Sequence, residues 1–311
     1  MTTENPRTIS VGVVAGGSAA HVRALEALPI DTLWVGGHVA SRNPSPEAMV
    51  GLARLAALTE RVRIGTSILL LPLYAPAIVA KQIADLDNAT GGRVILGVGV
   101  GGEYAGEFRA CQVPVSERGA RTNEAIPLIR RLWTAEEITH EGRFYAMEDV
   151  KIHPAPVQPG GPPIVVAGRQ EAAMRRAATL GDGWMPYLYS PRRYAASVQT
   201  IRDAAAEAGR DLDGFGWHAF VFVNVNVDGE RAREEAARGM GGNYNQDFRP
   251  MVDSVAAAGT ADEVTEKLSA FVDAGARSFL FTPMTTPDAT DAMVRELVTE
   301  VMPRVEAHAN S

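Results

Sequence analysis

The sequence predicts a (β/α)8 barrel, an α/β fold of eight parallel strands each followed by a helix. Short apolar runs and helical patterns alternate along the 311 residues. The runs are almost continuously apolar, which is typical of parallel strands covered on both faces. No linker interrupts the pattern, so we expect a single domain over 1–311. A doubly wound open sheet is the alternative that this alternation leaves open.

The predicted strands share an apolar run that ends in glycine or turn residues. They are residues 8–15, 31–37, 61–71, 93–99, 162–168, 182–188, 215–227 and 277–284. Helical patterns cover residues 18–28, 45–60, 75–92, 116–137, 169–181, 190–209, 228–240, 260–276 and 288–305. Residues 142–161 predict a short extended excursion and a proline-rich loop. Residues 241–259 predict an irregular, mobile segment.

Composition and charge exclude several classes of function. The net charge is −7 and the basic residues are scattered, which argues against binding to nucleic acid or to an anionic membrane surface. No apolar run reaches transmembrane length, and the start of the chain only faintly imitates a signal peptide. Cys111 is the only cysteine, and the histidines lack metal-ligand spacing. We therefore expect a cytoplasmic protein with no metal and a small-molecule substrate.

The stretch ILGVGVGGEY, residues 95–104, loses its side chains at the carboxyl end of strand four. Glycine in a strand is destabilising because it packs nothing and loses more backbone entropy on folding. Function in a barrel gathers at this end of the strands. We interpret the glycines as clearance for a bulky planar ligand, with a tight turn as the other interpretation.

The stretch AGRQEAAMRR begins with a glycine turn that opens directly into a helix. Free N–H groups at a helix start bind anions, so Ala167, Gly168, Arg169 and Gln170 form a candidate phosphate site. The Arg169 guanidinium would add a charge-assisted contact. The stretch is neither GxGxxG nor a P-loop, so it indicates no Rossmann or Walker-type site.

Several stretches together resemble the bacterial luciferase-like superfamily of flavin- and deazaflavin-dependent oxidoreductases. The most recognisable is IGTSILLLPLYAPAIVAKQIADLDNATGGRVILGVGVGGEYAGEF, residues 64–108. SERGARTNEAIPLIRRLWT, HPAPVQPGGPPIVVAG, ATLGDGW and AGTADEV follow in the family's order. The resemblance covers nearly the whole chain.

The resemblance implies a (β/α)8 barrel with an excursion between strands seven and eight, a place that residues 241–259 fit. It also implies that the barrel binds FMN for monooxygenation or the deazaflavin coenzyme F420 for hydride transfer. In the deazaflavin branch, a bulge of strand three carries a non-prolyl cis peptide that backs the ring, which GTSI places at Ser67-Ile68. A histidine after strand two lies near the reactive edge of the ring, and His38 matches it. Val100 and Gly101 occupy the strand-four positions that border the ring.

The chain departs from the family pattern in four respects. Val100 stands where deazaflavin dehydrogenases often have a hydroxyl, which removes one hydrogen bond to the ring. Gly102 intervenes before Glu103, so this candidate acid comes one residue late. Ala15-Gly16 replaces an acidic or aromatic residue after strand one, and no lysines match those that bind a sugar phosphate. Sugar phosphate is therefore a poor substrate prediction.

Each candidate residue has a simpler interpretation beside the functional one. His38 is a proton-transfer group or a histidine on a rim loop, and Glu103 is an acid or a helix cap. Trp34 and Trp184 are interpreted as packing residues, and Cys111 as a small buried apolar one.

We predict an oxidoreductase that transfers hydride between coenzyme F420 and a small organic substrate. The alternatives are an FMN-dependent monooxygenase supplied by a separate cofactor reductase, and a non-catalytic cofactor-binding paralogue. Family members are often dimers through helices two and three, and MVGLARLAALTE, residues 49–60, is apolar enough for such an interface. The resemblance thus implies a homodimer.

Overall fold

A computed structural model describes residues 8–41, 43–244 and 246–311. The strands are β1 Ser10–Val14, β2 Thr32–Val35, β3 Arg63–Thr66, β4 Leu69–Leu70, β5 Val94–Gly99, β6 Ile138–Glu141, β7 Ala146–Val150, β8 Ile164–Ala167, β9 Gly183–Met185, β10 Gly216–Val225, β11 Ala256–Gly259 and β12 Ser278–Pro283. The helices are α1 Ala19–Glu26, α2 Ala48–Leu58, α3 Pro76–Thr90, α4 Ala105–Ala110, α5 Arg118–Leu132, α6 Glu171–Leu180, α7 Pro191–Glu207, α8 Gly229–Tyr244, α9 Val252–Val255, α10 Ala261–Asp273, α11 Thr290–Glu296 and α12 Met302–Ala309.

The strand order confirms the predicted fold class. Hydrogen-bonded neighbours follow the order β1, β2, β3, β5, β8, β9, β10 and β12, and β12 pairs again with β1. Strand β4 continues β3 and also pairs with β5. These are the eight predicted strands in chain order, alternating with helices, and the closed order defines a (β/α)8 barrel rather than an open sheet.

The chain divides into two compact units, and the described residues of the first fall within 1–33, 185–202 and 216–311. Its strands β10, β12 and β1 are parallel, with Phe222 opposite Thr282 and Ser10 opposite Ser278. The Phe279 and Phe281 rings of β12 are fully buried and stack with their centroids 5.6 Å apart. Helix α10 begins with a capping box in which the Thr260 hydroxyl and the Glu263 carboxylate each accept the other's backbone N–H.

The second unit comprises residues 34–184 and 203–215. Its strands β3, β5 and β8 are parallel, and Gly97 of β5 lies opposite Val165 of β8. Asp182 accepts the backbone N–H of Ile164 at 2.8 Å and an Arg130 N–H at 2.6 Å. This carboxylate therefore ties the start of β9 to the start of β8.

The prediction of an irregular segment over 241–259 is wrong for most of its described residues. Helix α8 runs on through Gly241 and Gly242, residues 252–255 form α9, and β11 pairs in parallel with β10. Buried Met240, Phe248 and Val252 pack in one cluster, and this burial outweighs the poor helix propensity of the glycines. Asn245 of this segment lies outside the described residues. Residues 1–7, at the start of the chain that faintly imitates a signal peptide, also lie outside them.

Two elements add to the predicted ones. Strands β6 and β7 form an antiparallel hairpin where a short extended excursion was expected. Helix α4 follows the glycine stretch after β5, where no helix was predicted. None of the described helices is long and apolar enough to cross a membrane.

Candidate functional site

Gly65, Gly97 and Gly99 make room for protein atoms, so the interpretation as ligand clearance is wrong for Gly99. A Cβ on Gly65 would lie 2.5 Å from the buried Trp34 ring. On Gly97 it would meet the Thr66 carbonyl oxygen, and on Gly99 the Ile68 side chain. The glycines therefore let β5 approach β3 closely at the carboxyl end of both strands.

Ser67 and Ile68 form a non-prolyl cis peptide where the resemblance placed it, between β3 and β4. The Ser67 N–H donates to the Val35 carbonyl at 2.7 Å, so the bulge is tied to the end of β2. The Ser67 hydroxyl is buried and has no hydrogen-bond partner among the described residues. A buried polar atom without a partner is unfavourable, so this oxygen is suited to receive a ligand group.

His38 lies in the loop after β2, where the sequence placed it. Its backbone N–H donates to the Pro46 carbonyl at 3.1 Å. Gly37 packs so closely on the backbone of Ala48 that no side chain would fit there. The loop thereby holds the His38 ring with 41% of its side chain exposed and with Nδ1 turned towards Glu107.

Glu107 is the residue of this site that sequence reasoning missed. Its side chain is 1% exposed, and its carboxylate oxygens lie 3.2 and 3.4 Å from His38 Nδ1. Glu103, the predicted acid, is exposed and lies just before α4. Helix α4 has only six residues and contains Gly106, so it offered no periodicity by which to recognise Glu107.

A second pair of polar groups adjoins this one. The Tyr74 hydroxyl donates to Glu47 at 2.6 Å, and Glu47 also caps α2 by accepting the N–H groups of Met49 and Val50. Burial and the Glu47 hydrogen bond raise the pKa of Tyr74 well above its usual range. This phenol is therefore a fixed donor rather than a proton-transfer group near neutral pH.

Cys111 follows α4 and is half buried. Burial, together with the nearby Glu107 carboxylate, raises the pKa of the Cys111 thiol. The thiol therefore stays protonated and is a poor nucleophile.

The predicted anion site lies at the start of α6. Gly168 has φ 144°, and its carbonyl accepts the Trp184 indole N–H at 2.9 Å. Gln170 is the N-cap residue of α6 and makes no side-chain capping hydrogen bond, so it leaves the first N–H groups to other acceptors. Arg169 precedes it and is half buried.

Arg118 of α5 and Arg176 of α6 lie close to glycine residues in the helices and loop that follow β5. A Cβ on Gly102 would come within 2.9 Å of Arg118 Nε, and one on Gly119 within 3.4 Å of an Arg176 nitrogen. Arg176 is 6% exposed and donates to Asn123 and to the Gly119 carbonyl. Neither guanidinium pairs with a carboxylate in the described parts of the chain, and burial lowers the pKa of Arg176. This positive charge suits an anionic ligand.

The structure brings together most of the predicted site residues. Ile68 and Ala167 both lie against Gly99, and Gly101 lies against Leu70. Val100 lies between these glycines and is half buried.

Residues 8–41, 43–244 and 246–311 contain no group of three metal-ligating side chains.

The family model described as luciferase-like monooxygenase matches residues 2–278. The chain belongs to the luciferase-like monooxygenase family. Among its relatives, an uncharacterized protein of Mycobacterium tuberculosis is 36% identical over 192 residues, which are 62% of this chain and 65% of that protein. The F420-dependent glucose-6-phosphate dehydrogenase of Nakamurella multipartita is 32% identical over 214 residues, covering 64% of this chain and 58% of that one.

A third relative of this luciferase-like protein is the 4-hydroxyprotoasukamycin monooxygenase of Streptomyces nodosus subsp. asukaensis, 30% identical over 69% of this chain and 60% of that one. The chain thus aligns with less than two thirds of the length of each of these relatives.

Two solved structures share the fold of this luciferase-like protein. An F420-dependent secondary alcohol dehydrogenase superposes with a TM-score of 0.83 at 21% identity, over 96% of this chain and 99% of that one. The oxygenating constituent of 3,6-diketocamphane monooxygenase from Pseudomonas putida, in complex with FMN, gives a TM-score of 0.78 at 18% identity, over 95% and 98%.

Proposed function

We propose that this luciferase-like protein is an oxidoreductase that transfers hydride between coenzyme F420 and a small organic substrate. The observation that carries the proposal is the His38–Glu107 pair, which lies in the same unit as the partnerless Ser67 hydroxyl. Hydride exchange at an oxygen-bearing carbon needs a proton acceptor or donor, and a histidine braced by a carboxylate is suited to that task. The F420-dependent dehydrogenases among the relatives support the choice of cofactor.

The residues present fit a planar cofactor with an anionic tail. The Ser67 hydroxyl offers a hydrogen bond to the ring system, and Ile68, Val100 and Gly101 would border it. The phosphate would bind the backbone N–H groups at the start of α6, next to the turn formed by Ala167, Gly168, Arg169 and Gln170. Arg118 and Arg176 add positive charge along the neighbouring elements.

When bound, coenzyme F420 supplies two-electron hydride chemistry, and the protein supplies orientation and proton transfer. His38 is the half-exposed titratable group that exchanges a proton with the substrate oxygen. The Tyr74 hydroxyl donates to Glu47, and Glu47 also accepts the Met49 N–H at the start of α2. These hydrogen bonds hold the loops around His38 in place. Glu103 is exposed before α4 and remains a second candidate acid.

The substrate of the named dehydrogenases is not part of the proposal. The chain has only three lysines, Lys81, Lys151 and Lys267. Lys81 pairs with Asp85, Lys267 donates to the Asp253 carbonyl, and Lys151 is exposed. This scarcity of lysine gives no support to a sugar phosphate as the substrate.

An FMN-dependent monooxygenase is the second candidate. Val100 lacks the hydroxyl of deazaflavin dehydrogenases, and a monooxygenase stands among the relatives. That activity would need reduced flavin from a separate reductase. A paralogue that binds the cofactor without turnover is the third candidate, since Ala15-Gly16 replaces a side chain expected after strand one.

A redox assay separates these candidates. The purified protein is mixed with oxidised F420 and a panel of alcohols, and in parallel with reduced F420 and a panel of carbonyl and enone compounds. Interconversion of the two cofactor forms, lost in His38→Gln, supports the proposal. Oxygen consumption with reduced FMN, without any F420 turnover, would assign the monooxygenase instead. Binding of F420 without exchange on either panel would assign the paralogue.

A further inference from the structure

Glu107 is a buried carboxylate with one side-chain partner. Both of its oxygens approach the same atom, His38 Nδ1, at 3.2 and 3.4 Å. Among the described residues no other hydrogen bond reaches this side chain, which is 1% exposed. A carboxylate withdrawn from water requires a donor, because an unpaired buried charge is strongly unfavourable.

The contact assigns different roles to the two ring nitrogens of His38. An ionised carboxylate only accepts hydrogen bonds, so Nδ1 must carry the proton. In the neutral ring Nε2 then has a free lone pair. Nδ1 faces the buried carboxylate while 41% of the side chain is exposed, so Nε2 is the nitrogen left for a substrate.

The backbones of both residues are held independently of this contact. The His38 N–H is bound to the Pro46 carbonyl, and Glu107 is part of α4, where its carbonyl accepts the Cys111 N–H at 3.0 Å. The neighbouring Glu47 is committed to the Tyr74 hydroxyl and the α2 N-terminus. No other acceptor among these residues therefore competes with Glu107 for the Nδ1–H of His38.

We propose that Glu107 is a positioning residue that holds neutral His38 in the Nδ1–H tautomer and so makes Nε2 the proton-exchanging atom. The role in turnover rests on the proposed function, whereas the tautomer is a property of the protein without cofactor or substrate. Glu107 orients the histidine and does not itself touch the reacting atoms.

The tautomer is measured by ¹⁵N NMR on the full chain labelled at histidine, at alkaline pH where histidine side chains are neutral. Loss of one set of signals in His38→Gln assigns the ring. His308 is the internal reference, because it is 40% exposed and its Nε2, not Nδ1, contacts Asp273 at 2.7 Å. We expect His38 to show a protonated Nδ1 and His308 a protonated Nε2. A protonated Nε2 on His38 in the wild-type protein overturns the proposal.

Two substitutions test the cause. Glu107→Leu removes the acceptor, and we expect His38 to shift to the Nε2–H form that free imidazole prefers in water. Glu107→Gln retains an acceptor oxygen but adds a donor, so we expect a mixture of both tautomers. Asp273→Asn should leave the His38 signals unchanged. An unchanged Nδ1–H tautomer in both Glu107 variants would show that Glu107 does not set it.

A kinetic measurement then tests the consequence, if the redox assay finds a substrate. We expect kcat to fall about 10²-fold in Glu107→Leu with KM nearly unchanged, and Glu107→Gln to retain part of the rate. Equal kcat in all three proteins would contradict a positioning role. Absence of any F420 turnover would overturn the proposed function while leaving the NMR result on the tautomer intact.

Discussion

Gly99 at the end of β5 shows how a residue can be recognised as unusual and still be misinterpreted. The sequence marks Gly97 and Gly99 because a buried strand gains nothing from losing side chains. It does not reveal what fills the space, because Trp34 and the Thr66 carbonyl come from other strands. His38 was predicted from the family resemblance, whereas Glu107 lies on a helix too short to show a pattern.

Gly97→Ala should destabilise the protein. Its Cβ would overlap the Thr66 carbonyl oxygen, a backbone atom that cannot swing aside. We expect a loss of about 1–3 kcal/mol in the free energy of unfolding, measured by urea denaturation. Gly16→Ala is the matched control, since no atom lies within 4 Å of its Cβ position. Equal stability of the two variants would show that the close approach of β3 and β5 does not require glycine.

At the scale of elements, apolar runs predicted every strand of the barrel because burial on both faces leaves a continuous signal. The signal fails for β11, whose sequence AAAG has poor strand propensity and is held by pairing with β10. It also fails for the β6–β7 hairpin, whose side chains are largely exposed. These elements depend on tertiary contacts that lie far away in sequence.

The hairpin is attached to α5 through Glu124. This carboxylate accepts the backbone N–H groups of Phe144 and Tyr145 and contacts His140 Nε2 at 3.2 Å. Burial alone would raise the pKa of Glu124, but these hydrogen bonds outweigh it and hold the pKa below 4.5. Folding therefore favours the ionised form of Glu124. Its contribution to the free energy of unfolding is fully present above the pKa of the unfolded chain and is lost as the pH falls through the lower pKa of the folded protein.

Glu124→Gln should accordingly destabilise the protein by about 1–3 kcal/mol at neutral pH. The difference from wild type should shrink as the pH falls through the lowered pKa of the Glu124 carboxyl, because the wild-type side chain is then protonated too. Urea denaturation at a series of pH values checks this. A difference that is constant over the whole range would show that the charge of Glu124 contributes nothing.

At the scale of the whole molecule, the alternation of strands and helices predicted the barrel, and the family resemblance predicted the place of the cis peptide. The substrate remains beyond the sequence, because the side chains that would select it come from loops without a recognisable pattern. The exposed surface does bear on assembly. Val50 of α2 is 69% exposed and Ile78 of α3 is 56% exposed, although both side chains are large and apolar.

We propose that these helices form a homodimer interface, as the resemblance implies. Ala53 and Ala57 share the exposed face of α2 with Val50, because residues three and four apart lie on one side of a helix. Sedimentation should give twice the mass of the 33.2 kDa chain. The double substitution Val50→Glu and Ile78→Glu should give the monomer with an unchanged circular dichroism spectrum. A wild-type protein that sediments as a monomer at micromolar concentration contradicts the interface.

We propose that the second unit of the chain holds a deazaflavin with an anionic tail. A parallel equilibrium titration of the purified protein with coenzyme F420 and with FMN, followed by the fluorescence of each cofactor, tests it most directly. We predict saturable binding of F420 at micromolar concentration, much weaker binding of FMN, and a weakened F420 affinity in Arg176→Leu. Saturable binding of FMN with no detectable binding of F420 would contradict the account.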